Sequence, residues 1–258
     1  MNLDRCTIVV RERTIPELYD LGLALTRRHA GAVALLTTLA SAPWVALDWW
    51  LLSGLGWAAV YPAFLLLAMQ APLATAPLTA YLGEAMFSGD PTMRGALRAA
   101  LTRWRALLLV ALLRGVAAVI PFLLLYFPAH LVEVLLLERQ PFGAAWKRSM
   151  TMIANWRSEH GAHAVMGTLT CFIGAGVAIW SGLVLVQLLV WGSTSTEIVG
   201  EWLDPGSSVL PLILVWPLCA YLAVVRFLAY IDLRTRNEGW DVELDLRRAG
   251  SRIAGEAA

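Results

Sequence analysis

Four long apolar runs constrain this chain most: residues 30–52, 57–82, 164–191 and 208–231. A helix needs about 20 mostly apolar residues to cross the hydrocarbon core of a bilayer, and each run supplies that length. The rest of the sequence agrees. Of its 258 residues 59% are hydrophobic and 15% charged, against roughly 25% charged in an ordinary soluble domain. So few polar side chains cannot cover a water-soluble fold of this size, whereas lipid accepts an apolar exterior. The expected fold class is an all-α membrane protein.

A fifth apolar stretch, residues 106–137, is too long for one ordinary span and short for two. The basic residues decide between them. Of the 20 Lys and Arg residues, all but Arg114 and Arg226 fall in the stretches 1–28, 94–105, 139–157 and 234–252, and the connection 192–207 carries only acids, Glu197, Glu201 and Asp204. Positive charge marks the cytoplasmic flank of a membrane helix. One crossing over 106–137 would place the clusters 94–105 and 139–157 on opposite sides, and two crossings place every cluster inside. Pro121 supplies the break, since proline removes a backbone donor and disfavours helix in the residue before it.

The resulting expectation is six spans, at about 30–52, 57–82, 106–120, 122–137, 164–191 and 208–231, with a cytoplasmic segment 1–29, a cytoplasmic tail 232–258 and both termini inside. Spans three and four, at roughly 15 residues each, reach about 22 Å, short of the ~30 Å core, so a thin region is expected there. Pro62, Pro72 and Pro77 are expected to bend span two. No cleaved signal peptide is expected, because residues 1–20 mix charges of both signs without a short apolar core.

Three segments that precede spans share a pattern. After Pro16 the apolar or small positions are Leu18, Leu21, Gly22 and Leu25; after Pro91 they are Met93, Ala96, Leu97 and Ala100, at identical offsets. After Pro141, Phe142, Ala145, Trp146, Ser149, Met150 and Ile153 follow the same period one residue earlier. This is the spacing of a helix with one apolar face, of the kind that lies in a membrane interface as an elbow. In the second copy Asp90 is expected to cap and Pro91 to occupy the first helical position. The offsets suggest three units of elbow plus two-span hairpin, against the plainer reading of unrelated cytoplasmic linkers.

The run LLLERQPFGAAWKRSMTMIANWR (135–157) resembles the elbow of the glycerophosphodiester phosphodiesterase membrane-domain-like proteins, on Glu138, Ala145, Arg148 and Ser149, with Lys147 and Met152 departing from the usual wording. Pro121 sits where that family places a proline between spans three and four. The run YIDLRTRNEGWDVEL (230–244) is similar to the tail of a bacterial six-span subgroup, on Asp232, Arg234, Arg236, Glu238, Gly239 and Asp241. The resemblance implies the membrane part of such proteins without the phosphodiesterase domain. It also implies a bacterial inner-membrane location and an operon setting with MoxR-type ATPases, von Willebrand A proteins and transglutaminase-like membrane proteins, which would make the chain a partner subunit.

No catalytic constellation is present: no Walker sequence, Gly-x-Ser-x-Gly elbow, His-Glu-x-x-His or Cys-x-x-Cys. His160 and His163, beside Glu159, read as interfacial polar residues before metal ligands, and Cys6, Cys171 and Cys219 as small apolar side chains. No cofactor or metal is expected.

Charges inside spans carry more weight, because they are costly in lipid and are paired or functional. Arg114 lies mid-membrane with Asp48 as its expected partner. Glu133 and Arg226 lie near the cytoplasmic face, with Glu84 competing for Arg226, and His130 shares a face with Glu133 at i, i+3. Structural ion pairs are weighed against a substrate or proton path and against snorkelling. Gly174, Ala178 and Gly182 form a small-residue stripe that permits close helix contact, within the chain or with a partner. The tryptophans, among them Trp44, Trp49, Trp50, Trp57, Trp104, Trp146 and Trp156, read as interface anchors. In the tail, Trp240, Val242, Leu244 and Leu246 alternate with charges, a strand pattern that should dock on an elbow, on residues 6–13 or on a partner.

The leading expectation is a non-enzymatic inner-membrane scaffold or subunit of a protein assembly. A small-molecule or proton-coupled transporter is the second reading, and a membrane-embedded lipid enzyme the third. Expected partners are the bilayer and other membrane or cytoplasmic proteins, with a homo-oligomer left open. The net charge of +1 points to no nucleic acid.

Overall fold

A computed structural model describes residues 13–87, 91–120, 123–124, 127–154, 181, 184–185, 187–188 and 196–238. Regular structure among them is helical throughout, with no strand. The helices are α1 (Ile15–Arg28), α2 (Ala30–Leu52), α3 (Val60–Phe87), α4 (Met93–Thr102), α5 (Trp104–Val119), α6 (Leu131–Leu137), α7 (Phe142–Ala154), α8 (Thr196–Leu203) and α9 (Leu210–Glu238). Three helical segments, Ala30–Leu52, Gly56–Phe87 and Leu210–Arg236, are long and apolar enough to cross a membrane.

The amphipathic helices form where the proline offsets place them. In α1, Glu17 Oε2 accepts the Thr14 N–H at 3.1 Å, a proline opens the first turn, and Arg27 and Arg28 oppose the dipole in the last. Leu18 and Leu25 are buried. A Cβ on Gly22 would stand 2.8 Å from Val225 Cγ2, so α1 lies close against α9. The Tyr221 hydroxyl adds a 3.0 Å bond to the Tyr19 carbonyl. In α4, Ala96 and Ala100 are buried, and in α7 Ala145, Ser149 and Met152. Apolar residues of all three helices enter one core with α3, α6 and α9, so each turns its apolar stripe onto protein.

The cap of α4 also differs from expectation. Thr92 is its N-cap, its hydroxyl accepting the Gly95 N–H at 3.1 Å; Pro91 precedes the cap, and Asp90 lies outside the described residues. Each of the first two amphipathic helices joins the next helix through a single residue. His29 (φ −110°, ψ 26°) ends α1 and starts α2, and Arg103 (φ −106°, ψ 13°) ends α4 and starts α5. The same corner is built twice.

α3 is the axis of the fold, packing against α2, α4, α5, α6 and α9. Ten consecutive residues, Ala74–Gly83, are buried, as expected of a helix apolar all round. Pro72 and Pro77 sit inside it without ending it. The run begins as a 3-10 turn at Gly56–Ala59 and continues to Phe87, five residues past the expected end.

The stretch 106–137 breaks near Pro121, but not into two equal helices. α5 has 16 residues, roughly 24 Å, whereas α6 has seven, roughly 10 Å. Within the expected fourth span, the described residues before Leu131 form only a 3-10 step at 123–124 and a turn at 129–130. Pro128, with its carbonyl accepting the Leu131 N–H at 3.3 Å, delays the helix. At the other end of the chain, α9 continues to Glu238, seven residues past the expected end of span six.

The connections 53–56 and 204–208 close on one another. Gly54 N–H donates to the Gly206 carbonyl at 2.9 Å, and Asp204 folds its loop by accepting from Gly206 N–H at 3.0 Å and from the Ser207 hydroxyl at 2.7 Å. A Cβ on Gly206 would clash with the backbone of Gly56. Backbone cannot move aside as a side chain can. Gly206→Ala is therefore expected to cost about 1–3 kcal/mol, read as a lowered thermal midpoint in detergent. Gly31→Ala, with nothing within 4 Å of the added Cβ, is expected to be neutral or mildly stabilising.

Candidate functional site

Along α9, Arg226, Tyr230 and Arg234 recur every four residues, and Cys219 stands two turns above Arg226. They form one polar face of this helix. The acids that meet this face come from α6 and the turn after it.

The lower layer is centred on Glu138. Its Oε1 accepts the Tyr230 hydroxyl at 2.7 Å and lies 3.9 Å from Arg234 Nη1; its Oε2 pairs with Arg148 Nε of α7 at 2.5 Å. The next residue, Arg139, takes φ 55°, an unfavourable backbone for a residue with a Cβ. Arg103, at the α4–α5 corner, holds that turn by donating to the carbonyls of Arg139 (2.7 Å) and Gln140 (3.3 Å). Glu138, Arg148 and Arg234 thus converge from three elements.

One turn higher, Arg226 Nε donates to Glu133 Oε1 at 2.6 Å. The Glu133 side chain is 0% exposed and that of Arg226 19%. His130 Nδ1, Glu133 Oε2 and Arg226 Nη2 are buried without a hydrogen-bond partner among the described residues. The His130 ring lies 6.1 Å from that of Tyr230. Higher again, Arg114 of α5 lies within electrostatic reach of Arg226, Cys219 and Glu133, and its Nε is buried with no hydrogen-bond partner among the described residues.

Two expected pairings are replaced. Asp48 is buried and its Oδ1 accepts Gln70 Nε2 at 2.6 Å, so its near partner is a neutral amide of α3 and not Arg114. Glu84 does not compete for Arg226; its Oε2 accepts the Thr92 N–H at 3.2 Å, at the N-terminus of α4, where a carboxylate opposes the helix dipole. Gly174, Ala178 and Gly182, the tail residues Trp240, Val242, Leu244 and Leu246, and His160 and His163 lie outside the described residues.

A second clamp was not anticipated. Asp232, buried on α9, accepts the Arg13 backbone N–H at 2.8 Å and Arg236 Nε at 2.8 Å, and Arg236 Nη2 donates to the Arg13 carbonyl at 2.6 Å. An i, i+4 acid–arginine pair thus holds both polar groups of one peptide segment before α1. Its sequence signal was the Asp-x-x-x-Arg spacing at 232 and 236. At the α1–α2 corner, His29 Nδ1 lies 3.3 Å from the Tyr81 hydroxyl; burial first, and then the Arg28 charge, lower its pKa below the usual histidine value.

Among the described residues no group of three or more His, Cys, Asp or Glu is placed to hold a metal ion. An open cavity of about 380 Å³ lies at the α4–α5 corner, lined by Thr102–Ala106, away from the Glu133 layer. Compared with models of known families, with curated proteins and with solved structures, the chain matches none.

Proposed function

We propose that the chain is a six-span inner-membrane protein with both termini cytoplasmic, acting without catalysis as a scaffold or subunit of a membrane assembly. The observation that supports this best is how the acids are used. Asp48, Glu133, Glu138 and Asp232 each bond a group from another helix or segment, which fixes helix order and leaves no acid lining the one cavity described above. Around that interior, Leu35, Leu39, Trp50, Leu112, Val116 and Ile213 are exposed, an exterior suited to lipid or to partner helices. The repeated corner at His29 and Arg103 supports the repeat of elbow plus hairpin. The masses of any partners are expected to match the classes implied by the family resemblance.

The test reconstitutes the full chain in liposomes and follows internal pH with a trapped dye. The expected result is no proton flux above that of empty vesicles, together with partner proteins at fixed stoichiometry after purification in mild detergent. A flux abolished by Glu133→Gln would replace the scaffold by the transporter reading. Labelling of single cysteines at positions 90 and 194 with an impermeant maleimide, in a chain lacking its native cysteines, is expected to mark opposite sides.

A further inference from the structure

Between Asp90 and Glu133 the chain carries five arginines and no acid. Three of them, Arg94, Arg98 and Arg105, are exposed. The reason lies in α4, which turns Ala96 and Ala100 into the core and so points its opposite face outward. Arg94, Arg98 and Thr102 follow one another at intervals of four on that outward face. The acids at either end are used elsewhere: Glu84 accepts the Thr92 N–H, and Glu138 accepts the Tyr230 hydroxyl and pairs with Arg148.

The corner that ends this face is braced as well as charged. Arg103 donates from both terminal nitrogens to the carbonyls of Gln140 and Arg139, which fixes the turn from α4 into α5. The open cavity of about 380 Å³ lies here, with Arg103, Trp104 and Arg105 in its lining. The Arg105 guanidinium carbon stands 5.6 Å from the centroid of the Trp104 ring, a cation–π distance that keeps the charge over the aromatic face. From Trp104 an apolar row begins. Trp104, Leu108, Leu112 and Val116 recur every four residues along α5, and all are exposed. The row extends roughly 18 Å, a little more than half of the ~30 Å hydrocarbon core. Cationic cavity and apolar track meet at Trp104, and together they match the two parts of one lipid. Guanidinium groups bind phosphate oxygens two at a time, and basic residues at a membrane surface favour anionic lipid. A dissolved anion would use the cavity and gain nothing from the track.

We propose that the α4–α5 corner is a site for one anionic phospholipid, its phosphate in the cavity beside Arg103 and Arg105 and its acyl chain along the Trp104–Val116 face of α5. Arg98, one turn before Thr102 of the cavity wall, adds charge from α4. The inference rests on the placement of α5 in the bilayer proposed above, and not on the scaffold role. The cysteine labelling tests that placement separately, so a failed lipid response in a chain whose labelling holds counts against the site alone.

The test titrates phosphatidylglycerol into the full chain in neutral detergent at constant ionic strength, with phosphatidylcholine and soluble glycerol phosphate as parallel titrants. Tryptophan fluorescence follows thermal unfolding. Phosphatidylglycerol is expected to raise the midpoint saturably, by about 5 °C or more at a hundredfold excess over Kd, and the other two to leave it unchanged. Arg98→Gln with Arg105→Gln changes exposed positions, where substitution leaves the fold intact, and is expected to weaken half-saturation about tenfold. Arg27→Gln with Arg28→Gln removes the same charge from exposed positions at the α1–α2 corner and is expected to leave half-saturation unchanged. No response to phosphatidylglycerol, an equal response to phosphatidylcholine or to glycerol phosphate, or the same half-saturation in both double variants overturns the proposal.

Discussion

Replacing Glu133 by Leu is expected to destabilise the protein by about 3–5 kcal/mol, the usual cost of removing one partner from a buried ion pair. The loss exceeds that of a single hydrogen bond because of what remains. Arg226, whose Nε donates to Glu133 and whose Nη2 has no partner among the described residues, would keep its charge without its acid. The measurement is a thermal or denaturant midpoint in detergent, and the double variant Glu133→Leu, Arg226→Leu separates the causes. Since the penalty lies in the stranded cation, the double variant is expected to recover at least half of the loss. A double variant as unstable as the single one would show that shape, not charge, decides at this layer.

Glu138→Ala is expected to cost about 2–3 kcal/mol, from hydrogen bonds made to a charged acceptor. One carboxylate receives the Tyr230 hydroxyl and pairs with Arg148, so its loss affects α7 and α9 together. The figure is kept below that for Glu133 because the Arg148 side chain is 35% exposed and water screens part of the charge. Tyr230→Phe removes one of these bonds and is expected to cost about 1 kcal/mol. Limited proteolysis gives a second readout. Without Glu138 the turn at Arg139, whose positive φ is held by Arg103, is expected to be cut several-fold faster, whereas Tyr230→Phe should leave the cleavage rate nearly unchanged.

The amphipathic helices were legible because period and proline offset are local: the positions counted from Pro16 and Pro91 are among those that enter the core. What the stripe faces was not legible, since the same pattern serves a lipid surface and a protein groove. The Gly22 approach to Val225 is the kind of fact that settles it. The importance of Glu133 and Arg226 could be read from the cost of charge in an apolar run. Gln70 escaped notice because a neutral amide is unremarkable until an acid bonds to it, and Asp48 was accordingly assigned the wrong partner. The division of 106–137 was half legible. Pro121 announced a break, but Pro128 and the start of α6 at Leu131 are hidden in a run with no period to mark where a helix resumes.

The seating of α1 on α9 has a consequence for biogenesis. Tyr19 and Tyr221 are bonded across 202 residues of chain, and a ribosome adding about 5–20 residues per second takes roughly 10 to 40 s to cover that interval. During this time Leu18 and Leu25 have no groove to enter. An amphipathic helix in that position has the bilayer surface as its refuge, so α1 is expected to pass through a lipid-bound stage that the finished fold no longer displays. α9, the last of the described helices to be made, is then the one expected to lift it off.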